Sequence, residues 1–408
     1  MGARIVIVGA GFAGLRAALD LPATEQVTVV ANRRWCEFLP NIHELLSGRR
    51  TPGSLRIDAE ARVRGAGHRF VLDEITSIDT GGRTLKGRAT GTIPYDILLL
   101  TPGLAGTTGG VEGAAEHALP FKSVDECARI GRRLRELAEA PGTPRVVIVG
   151  GGLEGVEALG EILRAFPTFA VELVDGASRL LPTEPAALDR VVRAECSGFD
   201  VRIHDRTRVE RVTAEAVFTD RAGRLESDLT IWTGGPARLP LLEEAGGGDG
   251  TGRLTSVAAT LESLVAPGVF LAGDAAELPR PLAKQAYHAL DMGSHAAANI
   301  LRRVRQEPLE DFVESGKPSL ISFGDRGCFL VAGSWAVFGP SVSLAKEAVF
   351  QMVATTLAPP SDIKAAADTW MRLSEALPEP GWPTLTDVRA ILSDVCDLRL
   401  LPPETSRD

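Results

Sequence analysis

Apolar positions in this chain gather into short continuous runs, several of which are followed by glycines and then by a helical pattern. The run Val146–Val149 is apolar and β-branched, which reads as a strand buried on both faces. It leads into Gly150, Gly152 and Gly155, and then into an Ala/Leu/Glu-rich stretch to Leu163 that reads as a helix. Near the start, Arg4–Ala18 repeats the arrangement, with a β-branched strand, then Gly9, Gly11 and Gly14, then a helix. Strand, G-x-G-x-x-G and helix together make a phosphate cradle. The first glycine makes the tight turn, the second lets a pyrophosphate approach the backbone, and the third lets helix and strand pack closely. The helix N-terminus then offers unpaired N–H groups to the phosphates. Two such units imply two dinucleotides, and an enzyme holding two commonly passes a hydride from one to the other.

The rest of the pattern fits around these units. Val171–Val174 reads as a strand ending at Asp175, about 20 residues beyond the glycines, where an acid grips a ribose 2′-hydroxyl. The matching strand of the first unit, Gln26–Val30, ends in Ala31 and Asn32. Asn32 hydrogen-bonds a hydroxyl more weakly than a carboxylate does. A mixed helix is expected over Asn41–Leu46, and meander strands over Val71–Asp79 and Gly82–Leu85. A buried strand from Tyr95 ends at Thr101–Pro102–Gly103, and the Gly/Thr-rich residues 104–116 read as a crossing between domains. A helix follows over Ser123–Ala138, with Asp125 and Glu126 in its first turn. Further strands are expected at Val201–Ile203, Arg208–Val212 and Leu229–Trp232, with Trp232–Gly235 as the second crossing and 245–253 as a surface loop. Val269–Ala276 reads as strand, glycine turn and helix, and Ala283–Arg303 as a long helix. Short strands at Leu320–Phe323, Cys328–Ala332 and Ala336–Phe338 then give way to helices broken by Pro359, Pro360, Pro378, Pro380 and Pro383.

Composition narrows the classes. The 408 residues allow two or three domains with a sizeable core. A net charge of −9 argues against nucleic acid or an anionic membrane as the main partner. The five cysteines, Cys36, Cys127, Cys196, Cys328 and Cys396, form no C-x-x-C, which fits a reducing cytoplasm and excludes a redox disulfide close in sequence. The histidines show no metal-ligand spacing. The uncharged run between Arg326 and Lys346 is punctuated by glycines and Pro340, so it reads as short strands rather than a membrane helix. A strand within the first few residues is not the pattern of a signal peptide.

With these residues assembled, the chain resembles the two-dinucleotide-domain flavoproteins, and within them the type II NADH dehydrogenase (NADH:quinone oxidoreductase) family. The resemblance covers about residues 3–305 and lies in the order of its motifs. These are Gly9, Gly11 and Gly14; Phe38-x-Pro40; Tyr95–Asp96 before Thr101–Pro102–Gly103; and Glu116–His117–Ala118–Leu119–Pro120 with Lys122–Ser123. Gly150 to Glu157, Trp232–Thr233–Gly234–Gly235 and Gly273–Asp274–Ala275 complete it. It implies an α/β fold with two Rossmann-like, three-layer dinucleotide-binding domains, the NAD(P)H domain inserted in the FAD domain, and a small C-terminal α+β part. Residues 1–110 and 250–306 would bind FAD, 111–249 NAD(P)H, and 307–408 would form the third part. Pro40 would lie by the flavin ring, Asp274 would hold its ribitol, and Gly103, Gly235, Gly273 and Gln285 would line the cofactors.

Glu157 and Lys284 are the candidate catalytic residues. Glu157 would position the nicotinamide or relay a proton; its plain alternative is a first-turn acid complementing the helix dipole. Glu154 reads as a solvated first-turn acid. Asp274 has a plain alternative as a helix N-cap. Lys284 and Gln285 would face the acceptor side of the flavin, with a solvated lysine as the alternative, and Tyr287 and His288 would shape a pocket there or pack in the core. Cys36 precedes Pro40 as a plain buried thiol or, less simply, a redox cysteine.

Departures from the family bear on the acceptor. Its quinone helix carries three glutamines; aligned on Gly293, this chain has Tyr287, Asp291 and Met292 instead. Its tail is amphipathic and basic, whereas this one carries Asp362, Asp368, Glu375, Glu379, Asp387 and Asp394, so at most peripheral membrane contact is expected. The reading is therefore an FAD-dependent NADH (or NADPH):acceptor oxidoreductase of the cytoplasm, reducing a quinone or another small organic acceptor, and compatible with a homodimer. Two alternatives stand beside it: a flavin-dependent tailoring oxidoreductase acting on a soluble small molecule, and a non-enzymatic NAD(H)-binding regulator.

Overall fold

The computed structural model describes residues 2–237, 239–244, 253–358 and 399–401. Two five-stranded parallel sheets dominate it. In the first, the spatial order is Val269–Leu271, Ile97–Leu100, Arg4–Val8, Gln26–Ala31 and Arg69–Leu72. In the second it is Ala118–Pro120, Leu229–Trp232, Arg145–Val149, Ala170–Val174 and Val201–His204. Each sheet thus sets its glycine-terminated strand in the middle. Parallel pairing needs helical crossovers that cover both faces, which is why these runs are continuously apolar. An antiparallel three-stranded meander accompanies each sheet, at residues 75–94 and 209–226.

The chain crosses between the sheets through Ala105–Gly106 and Pro236–Ala237, which pair antiparallel. Trp232 Nε1 donates to Thr107 O at 2.9 Å and ties the two crossings together. A third, antiparallel sheet contains Ser319–Phe323, Gly327–Ala332, Trp335–Gly339 and Arg399–Leu401, with the helix Val342–Leu357 packed on it. Two glycines set close crossings. A Cβ at Gly293, on the long helix Ala286–Val304, would stand 2.3 Å from Ala13 O on the helix Phe12–Asp20. A Cβ at Gly160, on the helix Leu153–Ala165, would stand 2.7 Å from Gly324 N in the turn after Phe323.

Several elements differ from expectation. Val71–Asp79 is not one meander strand: Arg69–Leu72 joins the first parallel sheet, and the meander begins at Ile75. The break is at Asp73, whose carboxylate gathers N–H groups from Glu74, Ala89 and Thr90. Asn41–Leu46 divides into a 3₁₀ turn at Leu39–Asn41 and a short helix, Glu44–Ser47, that stops at Gly48 with φ +78°. After Gly273 there is a single 3₁₀ turn in place of a helix. The long helix starts at Ala286 rather than Ala283, because Lys284 is held to the carbonyls of that turn. Residues 245–252 of the expected loop, the expected helices of the proline-broken tail and Cys396 lie outside the described residues.

Candidate active site

Both glycine loops take the form a dinucleotide demands. Gly9 and Gly150 have φ of +99° and +113°, which side chains rarely adopt. A Cβ at Gly14 would come within 2.0 Å of Gly9 O, and one at Gly155 within 1.8 Å of Gly150 O. Gly11 and Gly152 behave oppositely: a Cβ at either meets nothing within 4 Å. Both are N-caps of the helices that follow, and no side chain caps either helix. Space and N–H donors therefore coincide where a pyrophosphate belongs.

A matched pair of threonines closes each loop. Thr101 Oγ1 donates to the carbonyls of Val8 and Gly9, both at 3.0 Å. Thr233 Oγ1 does the same to Val149 at 3.0 Å and Gly150 at 3.1 Å. Sequence reading placed Thr101 at the end of a strand and Thr233 at a crossing and missed this role; their shared position before a glycine-containing turn was the available signal. Gly103 and Gly235, just beyond, have φ of +72° and +37°.

The ribose positions differ. Asp175 follows Val174 as expected, and its carboxylate accepts from the backbone N–H groups of Gly151 and Ala177. Arg179, four residues on, is committed to structure, its guanidinium donating to the carbonyls of Leu180, Leu181, Pro182 and Glu184. In the first unit Ala31 is buried and Asn32 exposed at the end of its strand, with no carboxylate beside them on that strand.

Asp274 lies in the 3₁₀ turn and caps no helix, and no donor among the described residues reaches its carboxylate. Burial pushes that carboxyl above the usual range, with Lys284 pulling the other way. A half-buried acid without donors carries a desolvation cost that a ligand's hydroxyls would offset. Lys284 is exposed and donates to the backbone carbonyls of Asp274 at 2.9 Å and Ala276 at 3.3 Å. Gln285 Nε2 bonds Ser319 Oγ at 2.5 Å, while its Oε1 is buried without a partner. Tyr287 donates to Pro318 O at 2.9 Å, and Asp291 accepts from Lys317 at 2.5 Å and Ser315 at 2.9 Å. Two of the three positions that replace the family's glutamines therefore hold down the strap 315–318. His288 is buried.

Glu157 does more than complement the helix dipole, its plain alternative. It is 3 % exposed and sits between the helix Val342–Leu357, the strand Ser319–Phe323 and the segment leading into Glu44–Ser47. Lys346 Nζ lies 2.5 Å from its Oε1, Ser322 N–H donates to the same oxygen at 3.0 Å, and His43 Nδ1 lies 3.3 Å from Oε2. Burial raises the Glu157 carboxyl, and Lys346 and Ser322 offset part of that. Burial pulls the Lys346 ammonium down, but the facing carboxylate outweighs it and holds the lysine charged beyond its ordinary range. Beside Lys346, Glu347 is bound by Arg50, which also donates to Glu44 at 2.9 Å and stacks 4.2 Å over Phe350. Phe350 packs against Phe38, and Phe38 against Phe12 after the first glycine loop, with centroids 4.4 and 5.4 Å apart. Half-buried Pro40 follows in the same turn.

Sequence reading missed Lys346, His43 and Arg50. The available signal was that Lys346 and Glu347 are the only charges between Arg326 and Asp362, which marks them as inward-facing. Glu154 also departs from expectation: it pairs with Lys122, and burial raises its carboxyl. Cys36 is 1 % exposed with its thiol pushed up to about 12 by burial, so it holds no thiolate.

Residues 3–293 match the family described as pyridine nucleotide-disulphide oxidoreductase. The chain is 24 % identical over 396 residues to a type II NADH:quinone oxidoreductase of Staphylococcus epidermidis, covering 87 % of this chain and 94 % of that one. Its fold is similar to that of NDH2 from Plasmodium falciparum in complex with NADH, with a TM-score of 0.81 at 14 % identity over 91 % of this chain and 98 % of that one. It is also similar to the water-forming NADH oxidase of Lactobacillus brevis bound to NADH, with a TM-score of 0.70 at 19 % identity over 85 % and 77 % of the two chains.

Proposed function

We propose, for a chain that belongs to the pyridine nucleotide-disulphide oxidoreductase family, that it is an FAD-dependent NAD(P)H:acceptor oxidoreductase whose acceptor is a quinone. The observation that carries the reading is the duplicated cradle, in which Gly11 and Gly152 open onto free space at uncapped helix N-termini. On this reading residues 1–110 and 250–306 serve FAD, 111–249 serve NAD(P)H, and 307–408 complete the site. Gly9, Gly11 and Gly14 hold the FAD pyrophosphate, and Asp274 its ribitol hydroxyls. Asn32, Pro40, Gly103, Gly273 and Gln285 line the same cofactor. Gly150, Gly152, Gly155 and Gly235 hold the second dinucleotide, and Asp175 its adenine ribose. When bound, FAD would supply the redox chemistry, hydride acceptance and onward electron transfer.

The chain's own contribution is to bind, to orient and to manage protons. Lys284 holds the turn that presents Asp274. Glu157 and Lys346, facing each other out of water, hold a proton at Oε1 or Nζ for the acceptor. The curated relatives named as NADH:quinone oxidoreductases support the quinone. No described helix is long and apolar enough to cross a membrane, and we place the enzyme in the cytoplasm with at most peripheral membrane contact.

One observation favours a second reading, a soluble organic acceptor. Tyr287 and Asp291 stand where the family resemblance puts quinone glutamines, and both are spent on the strap 315–318. Anaerobic stopped-flow spectroscopy tests both readings. NADH should bleach flavin bands present in near-stoichiometric amount, and a benzoquinone should restore them within milliseconds. Absence of flavin bands would leave the non-enzymatic reading, and sluggish recovery with quinone would favour the soluble acceptor.

A further inference from the structure

The long helix Ala286–Val304 carries Tyr287, Asp291, His295 and Asn299 at four-residue spacing, which sets them in a row on one face. Gly293, against the helix Phe12–Asp20, lies about 200° round from Asp291, so the row is on the far side from that packing. The strap 315–318 is the end of a longer segment, 310–318, that runs back along this row and engages every member of it. Asn299 Nδ2 donates to Glu310 O at 2.8 Å, and its Oδ1 accepts from Glu310 N–H at 3.0 Å. His295 Nε2 lies 2.8 Å from Glu310 O, and its ring meets that of Phe312 with centroids 5.6 Å apart. Asp291 accepts from Ser315 and Lys317, and Tyr287 donates to Pro318 O. Lys317 Nζ also stands 5.7 Å from the centre of the Tyr287 ring.

The two halves of this segment are held differently. Phe312 is half-buried against the core, and its N–H donates to Ala259 O at 2.8 Å. Beyond it Val313 is 83 % exposed, and no side chain from 313 to 318 is buried. The outer half therefore gains little from apolar burial, and its contacts with Tyr287 and Asp291 are what fix it to the helix. A polar staple of this kind sets where a segment lies without making it part of the core.

Resting on the quinone reading, we propose that the outer half, 313–318, selects the acceptor: it admits a compact quinone ring and excludes a quinone that carries a long alkyl or prenyl tail. The family resemblance puts quinone-binding glutamines at Tyr287 and Asp291. In this chain both side chains hold the segment instead of facing a ligand. A tail leaving a ring seated at these positions runs along the helix face that 313–318 already occupies, and exclusion by an occupied path is discrimination by clash rather than by weaker attraction. Contacts for the ring itself remain. At the start of the row Gln285 Nε2 bonds Ser319 Oγ, while Gln285 Oε1 and His288 Nδ1 are buried with no partner among the described residues. A ring oxygen or hydroxyl satisfies such atoms, and a hydrocarbon tail does not.

The test uses the flavin-loaded enzyme, NADH, and two acceptors with one ring: a methylated benzoquinone and the same ring bearing a decyl tail. In the wild type kcat/KM should be about a hundredfold higher for the tailless quinone. The double variant Ser315→Ala, Lys317→Met frees Asp291 from the segment. It should raise kcat/KM for the decyl quinone by at least about tenfold and leave the tailless one within about twofold. Apart from turnover, a glutamate-specific protease should cut after Glu314 about tenfold faster in that variant, with Tm unchanged. If the double variant does not fold, Tyr287→Phe, which breaks the contact with Pro318, should improve the decyl quinone in the same direction. Equal kcat/KM for the two quinones in the wild type, discrimination that survives the variants, or unchanged cleavage would overturn the proposal and leave the quinone reading standing. If ferricyanide reoxidises the flavin and neither quinone does, the quinone reading itself falls.

Discussion

Lys284 Nζ donates to the backbone oxygen of Asp274 at 2.9 Å, and its carboxylate receives no hydrogen bond among the described residues. The lysine holds the turn, and the carboxylate is left for hydroxyl donors. Asp274→Ala should therefore raise the FAD dissociation constant by about 10- to 100-fold, the loss of hydrogen bonds to a charged acceptor. Lys284→Met should raise it by only about fivefold, since exposed bonds to two carbonyls are lost. Fluorescence titration of the stripped protein with FAD measures both. Equal effects would show that the turn matters and the carboxylate does not.

The glycine loops predict a contrast within one motif. Gly152 has φ −74° and free space at its Cβ, so Gly152→Ala should fold with an unchanged Tm. Its methyl group would occupy the pyrophosphate position, and KM for NADH should rise by at least about tenfold. Gly155→Ala places the methyl group 1.8 Å from Gly150 O and should fail to accumulate as soluble protein. Thermal melts with steady-state kinetics separate the two. A normal KM in Gly152→Ala would mean that no dinucleotide lies across this loop.

NADH should be preferred to NADPH in kcat/KM. Asp175 repels a 2′-phosphate, and Arg179 is occupied by four carbonyls and cannot offset that. Asp175→Ala should narrow the preference, and should also raise KM for both nucleotides because Gly151 and Ala177 lose their acceptor. Equal or better kcat/KM with NADPH in the wild type would refute the assignment.

Removing the partner of a buried carboxylate is expensive, and Lys346→Met should destabilise the protein by about 3–5 kcal/mol. The pH dependence has a definite sign. The Lys346 ammonium is raised in the folded state, so its contribution is complete below the unfolded lysine value of about 10.4 and is lost as pH rises through the folded one. The Tm gap between wild type and Lys346→Met should therefore be widest near neutrality and close in alkali. A gap that widens above that range would contradict the pairing.

The parts legible in the sequence were those fixed by local chemistry. Gly9 and Gly150 need positive φ, Gly14 and Gly155 need a bare Cα, and each is set within a few residues of its strand. Asp175 was singled out because it ends a strand about 20 residues beyond the glycines, and Asp274 because Gly273–Asp274–Ala275 resembles a family motif. What escaped depends on distance along the chain. Glu157 read as a candidate catalytic acid, but its partners Lys346, Ser322 and His43 lie too far along the chain to be seen from its own helix. The break at Asp73 is made by N–H groups of Ala89 and Thr90, too remote for a two-residue periodicity to register. Lys284 read as a catalytic candidate because a sequence does not say whether an ammonium meets a carboxylate or a carbonyl.

The pair Glu157–Lys346 spans 189 residues, which has a consequence during synthesis. At about 5–20 residues per second, roughly 10–40 s pass between the making of the acid and the making of its partner. Throughout that interval the second parallel sheet, complete at Trp232, can assemble around a carboxylate that has no counter-ion. The nascent chain must keep that carboxylate wet or protonated. The helix Val342–Leu357, arriving late and with its two charges turned inward, then converts a half-built interior into a dry one.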